Sequence, residues 1–237
     1  MGRSTGLKWG PTHIVHAAPN PAKIIREFSP DASRAVAGLE RGGRVVGLTG
    51  GVFSLLDLMR ATLEITGPAR VTVSAWSQGI RDTETAAWLL TERKIESFRL
   101  VVDHNWTTLK PAYCRRMIEV FGEQSLCLAK THAKWVCIQN DGWSICIRSS
   151  MNLNRNRRWE QFDIDDDAEI CGLFIGFAEE VAAISGAGVA GLLLSDTTDA
   201  YNEIVAAEAR MRDEEAARDS WSELGASKAM AAARAKM

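Results

Sequence analysis

The sequence contains no C-x-x-C pair, only two tyrosines and no excess of either charge: 28 Lys plus Arg stand against 30 Asp plus Glu, a net charge of −2. Binding to a polyanion must therefore rest on local clustering rather than on overall charge. The five cysteines (Cys114, Cys127, Cys137, Cys146, Cys171) are odd in number and carry no zinc-ribbon spacing. They predict buried reduced thiols rather than a disulfide frame. Met1–Gly6 lacks the apolar core of a signal peptide, and Gly6 stands where a myristoylation signal wants Ser or Thr. The most apolar run, Val181–Leu194, falls short of the ~20 residues of a membrane helix and is interrupted by Ser185, Gly186, Gly188 and Gly191. The expectation is a cytoplasmic protein with no membrane partner.

The chain's 237 residues, 46% hydrophobic and 24% charged, suffice for one sizeable core without disulfides. Four of the six prolines fall within the first 30 residues, which predicts an extended leader over 1–43 with a short helix around Ala22–Phe28. From Arg44 the pattern alternates. Arg44–Leu48, Val71–Trp76, Phe98–Asp103, Ser125–Ala129, His132–Ile138, Trp143–Ser149 and Glu160–Ile164 read as strands. Phe53–Thr66, Asp82–Arg93, Pro111–Phe121 and Ala168–Ile184 read as helices, the last behind a capping Asp165–Asp167 run. Asn140-Asp141-Gly142 marks a hairpin turn. These elements predict an α/β fold over 44–197, a mixed β-sheet sandwiched by helices, followed by a helical C-terminal tail over 198–237. The Gly47–Gly51 segment lacks the Gly-Lys-Ser/Thr ending of a nucleotide-binding loop and reads as a turn.

The chemically informative stretch is Thr131-His132-Ala133-Lys134, then Ser149-Ser150-Met151-Asn152, then Glu160. On a strand, His132 and Lys134 would share a face about 7 Å apart. The hairpin would return Ser149–Asn152 beside them, with either Ser149 or Ser150 facing the histidine according to the length of the turn. An imidazole, an ammonium, a hydroxyl and a carboxamide at one point suit a phosphate diester. The cation neutralises charge, the hydroxyl and amide donate to oxygens, and the imidazole attacks phosphorus. Glu160 can hold the second imidazole nitrogen. No carboxylate cluster offers a Mg²⁺ site, so neither metal nor cofactor is expected. Arg148, Arg155, Arg157 and Arg158 crowd the same segment with no acidic residue between 148 and 158, as a phosphate-binding stretch would. Trp135, Trp143 and Trp159 flank it and read first as core or dimer packing, second as base platforms.

His132-x-Lys134, Ser149-Ser150-x-Asn152 and Asn154-x-Asn156-x-Arg158-x-Glu160 together resemble the signature of the phospholipase D-like (HKD) superfamily. The resemblance spans about Arg44–Ile184, with the specific motif in 131–164. It implies attack on a phosphodiester by His132, a phosphohistidine intermediate, and protonation of the leaving group by a second motif histidine. His13, His16 and His104 are not followed by a lysine two residues on, so this chain carries one motif copy. Single-copy relatives of the small bacterial nuclease type pair two subunits, which implies a homodimer sharing one site.

The resulting expectation is a metal-independent phosphodiesterase, a nuclease acting on nucleic acid with DNA favoured over RNA. His132, Lys134, Asn152, Glu160 and Ser150 would form the catalytic set. Ser149, Arg148, Arg155, Arg157 and Arg158 would contact substrate. Two rivals stand beside it. A phospholipid hydrolase keeps the chemistry but lacks an amphipathic membrane-binding surface in the sequence. A catalytically inactive nucleic-acid-binding or structural protein is permitted by Gln139, where the superfamily usually has Asp, and by Arg148-Ser149, where it usually has a glycine before the serine.

Overall fold

Ser54 begins the first long helix through a capping box: its hydroxyl accepts from the Asp57 amide at 3.2 Å, and the Asp57 carboxylate accepts from the Ser54 amide at 2.9 Å. The helix stops at Gly67, whose φ of +74° favours glycine and whose N–H closes on the Leu63 carbonyl at 3.0 Å. Asp167 opens the last helix similarly, accepting from the amides of Glu169 and Ile170 at 2.9 and 3.0 Å.

The structure is a computed structural model and describes residues 22–26, 31–75, 80–103, 105–106 and 111–193. The expected tail over 198–237 and the three other histidines lie outside them. In chain order the elements are β1 (Ala22–Arg26), α1 (Ala32–Val36), β2 (Arg44–Thr49), α2 (Leu55–Thr66), β3 (Ala69–Ser74), α3 (Ile80–Thr91) and β4 (Ile95–Asp103). There follow α4 (Pro111–Phe121), a 3-10 turn at Glu123–Ser125, β5 (Leu126–Ala129), β6 (Trp135–Gln139), β7 (Ser144–Ser149), β8 (Glu160–Asp166) and α5 (Ala168–Leu193).

The eight strands make one mixed sheet in the order β1-β2-β8-β7-β6-β3-β4-β5. β1 runs parallel to β2, and β3, β4 and β5 are mutually parallel; the centre, β2-β8-β7-β6-β3, is antiparallel. Period-two alternation assigns the two faces. On one, Trp135, Cys137 and Cys146 pack under Cys171 and Ala178 of α5, with the Trp135 and Phe174 rings 5.2 Å apart. On the other, Leu56 and Met59 of α2, Ala86 of α3 and Met117 of α4 meet Val73 and Phe98. The α/β sandwich read from the sequence is therefore the architecture found. All five cysteines are buried and unbridged, and among the described residues no helix is long and apolar enough to cross a membrane.

Three expectations about elements require correction. Ala22–Arg26 is a strand, not a helix, because Ile24 and Ile25 pair in parallel with Val46 and Gly47; the leader thus contributes to the sheet. β6 begins at Trp135, three residues after His132, because the segment before it bends. α5 continues past Ile184 through the Gly/Ser stretch to Leu193.

Candidate active site

The hairpin turn is closed by Asn140, whose N–H donates to the Trp143 carbonyl at 3.1 Å and whose Oδ1 accepts from Gly142 and Trp143. The resulting register sets Cys137 opposite Cys146 and Trp135 opposite Arg148. It extends one step further, with the Ser149 N–H donating to the Lys134 carbonyl at 3.0 Å. Ser149, not Ser150, is thus the residue opposite Lys134.

The segment carrying His132 is held from below by strand ends. The Ser74 hydroxyl, at the end of β3, donates to the Ala133 carbonyl at 2.9 Å. Asp103, buried at the end of β4, accepts from the Thr131 amide at 3.1 Å and from the Asn105 amide at 2.9 Å. Thr131 Oγ1 accepts from the Ala133 amide at 3.1 Å, forming a local turn with the exposed His132 at its crest. The imidazole therefore does not sit on a regular strand. Lys134 folds back towards it, its Nζ lying 3.3 Å from His132 Nδ1 and donating to the His132 carbonyl at 3.0 Å.

Opposite this pair, the Ser150 hydroxyl donates to Glu160 and accepts from the Gln161 amide at 3.0 Å. Glu160 also acts electrostatically on Lys134: burial pushes the ammonium below its ordinary value, and the Glu160 charge opposes that shift. His132, Lys134, Ser150 and Glu160 consequently gather at one rim of the sheet. The hydrogen bond that engages Glu160 comes from Ser150. Ser149 Oγ serves the backbone instead, donating to the Gln161 carbonyl at 2.7 Å and accepting from the Met151 amide at 2.9 Å.

Asn152 stands at the head of α2, where its carbonyl accepts from the Leu55 amide at 3.1 Å. Its buried Oδ1 has no hydrogen-bond partner among the described residues. Arg155 reaches the same helix end and donates to Asp57 at 3.0 Å. Arg157 and Arg158 are exposed on the loop beyond. That loop crosses over Gly51, at φ +73°: a Cβ there would meet the Asn156 carbonyl oxygen at 1.8 Å and the Arg158 nitrogen at 2.8 Å. Gly51 is therefore more than a turn residue, since it lets the arginine loop lie against the end of β2.

Arg148 is not brought to this rim, contrary to expectation. Alternation along β7 turns it to the face opposite Ser149, where it pairs with Asp165; Arg44 binds Asp163 at 2.9 Å and lies 3.3 Å from Asp165. Burial pushes the Asp165 carboxyl up, and the two guanidinia oppose it. The three tryptophans divide in the same way. Trp135 is core, Trp143 lies under Arg41 with the guanidinium 4.7 Å from its ring centroid, and Trp159 is 65% exposed beside Glu160. Ser74, Asp103 and Gly51, which build the site, carry no motif signal. Only the turn-forming glycine pair and the position of Asp103 just after an apolar strand hinted at two of them.

No protein-family model and no curated protein sequence matches the chain. Among solved structures it is similar to NucT from Helicobacter pylori, at 17% identity and a TM-score of 0.39 over 60% of this chain and 98% of that one. It is also similar to the phospholipase D family member Nuc from Salmonella typhimurium, at 12% identity and a TM-score of 0.40 over 60% and 95% of the two chains. A third likeness is to TrmBL2, an archaeal chromatin protein with a novel mode of DNA binding, at 12% identity and a TM-score of 0.38 over 60% and 52%.

Proposed function

We propose that the protein is a metal-independent phosphodiesterase, a nuclease working as a homodimer through a phosphohistidine intermediate. The observation that carries this reading is the contact of Lys134 Nζ with His132 at the rim where Ser150 and Glu160 also meet. A scissile phosphate there would find an ammonium, a hydroxyl and the Asn152 carboxamide for its nonbridging oxygens. His132 would attack phosphorus as the P–O bond to the leaving oxygen breaks. The partner subunit's His132 would protonate that oxygen, and water would then release the phosphate from the ring.

The tautomer bears on which role is ready. An ammonium only donates, so its contact with Nδ1 leaves the ring proton on Nε2. In that form Nε2 has no free lone pair with which to attack phosphorus, and the general acid of the shared site is the imidazolium, with both ring nitrogens protonated. The nucleophilic form arises when an incoming phosphate draws Lys134 away from Nδ1 and the proton moves there, with Glu160 as the nearby acceptor. Exposed Arg157 and Arg158 would guide a nucleic-acid backbone, DNA before RNA, towards the rim.

The test is incubation of the pure protein with plasmid, single-stranded DNA and RNA in EDTA, beside His132→Ala and a solution-mass measurement. Cleavage in chelator that vanishes in the variant, with a dimeric mass, is expected. Salt-sensitive DNA binding without turnover, unchanged in His132→Ala, would instead establish a binding protein on this scaffold.

A further inference from the structure

At the far end of the sheet from His132, a cleft of about 630 Å³ opens around the first residues of β3 and β4, lined by α5 and by the ends of α3 and α4. Arg70 of β3 lines it together with Arg99 of β4. The register pairs Arg70 with Ser97 and Thr72 with Arg99, so the two arginines are diagonal neighbours on one face. Neither guanidinium has an ion-pair or hydrogen-bond partner among the described residues, and Arg99 is half-buried. Arg70 is exposed and the Arg99 nitrogens still reach solvent, so both guanidinia are open to an incoming anion.

Two carboxylates, Glu96 and Glu179, line the same cleft without approaching either arginine to ion-pair distance. Glu96 is there because the parallel ladder slips by one residue: Ala69 pairs with Ile95 but Arg70 with Ser97, leaving Glu96 as the extra residue of a bulge. Bulges of this kind re-aim a side chain and are rare between parallel strands. The apolar wall is the Phe98–Phe121 pair, which alternation places across β4 from Arg99, at the rim of the cleft; the ring centroids are 4.5 Å apart and both rings are half-buried.

These groups answer three parts of one ligand. Paired guanidinia suit a phosphate, carboxylates accept from a ribose diol, and an aromatic wall suits a base. The two carboxylates would repel a continuous run of phosphates, which favours a single-phosphate ligand over a nucleic-acid strand. The volume suits a molecule of that size. From Arg70 to Ser74, which touches the His132 segment, β3 spans about 13 Å, so the two sites are separate. We propose that this cleft binds a nucleoside monophosphate, with Arg70 and Arg99 on the phosphate and Glu96 or Glu179 on the ribose.

The experiment titrates 5′-AMP, orthophosphate and adenosine into the full chain by calorimetry. The titrations are repeated in Arg70→Gln, in Arg99→Gln and in a His132→Ala/Lys134→Ala background, with thermal melts confirming that each is folded. Expected are saturable AMP binding, at least tenfold weaker binding of either fragment, and at least a tenfold loss in each arginine variant with none in the histidine–lysine background. Should Arg99→Gln fail to fold, the exposed Arg70→Gln decides alone. No saturable AMP binding overturns the proposal. So does orthophosphate binding as tightly as AMP, or loss in the histidine–lysine background with retention in the arginine variants.

Discussion

Lys134 Nζ lies 3.3 Å from His132 Nδ1 while donating to the carbonyl of the same histidine at 3.0 Å. The lysine thus contacts both the ring and the backbone of its neighbour, which couples its own protonation to the state of the imidazole. Burial depresses the ammonium and the Glu160 charge raises it.

Glu160→Gln removes the opposing charge, so Lys134 should titrate at lower pH than in the wild type. Because the proposed reaction needs the charged ammonium, the alkaline limb of its pH–rate profile should move down in the same variant. Side-chain NMR titration of Lys134 checks the direction without relying on activity. An upward or absent shift would show that Glu160 does not act on this lysine.

Gly51 combines a φ of +73° with a position where a Cβ would strike the backbone of Asn156 and Arg158. Backbone cannot yield as a flexible side chain can, so Gly51→Ala should displace the arginine loop and cost about 2–3 kcal/mol. Urea unfolding measures the loss. The same variant should show weakened DNA binding even where it remains folded, and full affinity would detach the loop from substrate contact.

How much of this was readable beforehand depended on the range of the interactions. Pro111–Phe121, bounded by its own proline and a following glycine, is found as expected. The Ser54–Asp57 box and the Asn140 turn are equally local. Where partners lie far apart, sequence was mute or misleading. Ala22–Arg26 has the composition of a short helix, yet pairing with β2 makes it a strand. Arg148 looked like part of an arginine run, yet Asp165 claims it across the sheet. The clustering of His132, Lys134, Ser150 and Glu160 was legible because one hairpin and its neighbouring strand bring them together. The holders of that cluster, Ser74 and Asp103, come from strands more than 25 residues upstream; Ser74 had no local mark and Asp103 only its place at the end of an apolar strand.

Asp57 joins the α2 cap to the arginine loop. Burial alone would raise its carboxyl, but the hydrogen bonds from Arg155 and Ser54, with the Arg155 charge, hold it below the ordinary range. A lowered native pKa means that the unfolded chain binds the proton more readily. Its stabilisation is therefore complete well above 3.8 and is lost as pH falls through the lower native value. Asp57→Asn should cost about 1 kcal/mol at pH 7, a modest figure because Arg155 is largely exposed. The gap to wild type should narrow below pH 4, as unfolding at pH 7 and pH 3 would reveal; a gap that widens in acid contradicts the pairing.

Arg148 and the pair Arg157/Arg158 should separate stability from binding. Arg148 neutralises the buried Asp165, whose carboxyl burial already raises. A raised native value means stability present below the unfolded pKa and lost as pH rises through the native one. Arg148→Ala should raise that value further and cost about 2 kcal/mol near neutrality, discounted for the partial exposure of the arginine. The penalty should fade as pH falls below the ordinary 3.8, where Asp165 becomes protonated in both states. DNA affinity per folded molecule should stay within about twofold, because the guanidinium faces away from the His132 rim. Arg157→Ala and Arg158→Ala should do the reverse, leaving the melt near wild type while lowering the slope of log affinity against log salt by about one each. Equal slopes in all three variants would place the phosphate path elsewhere.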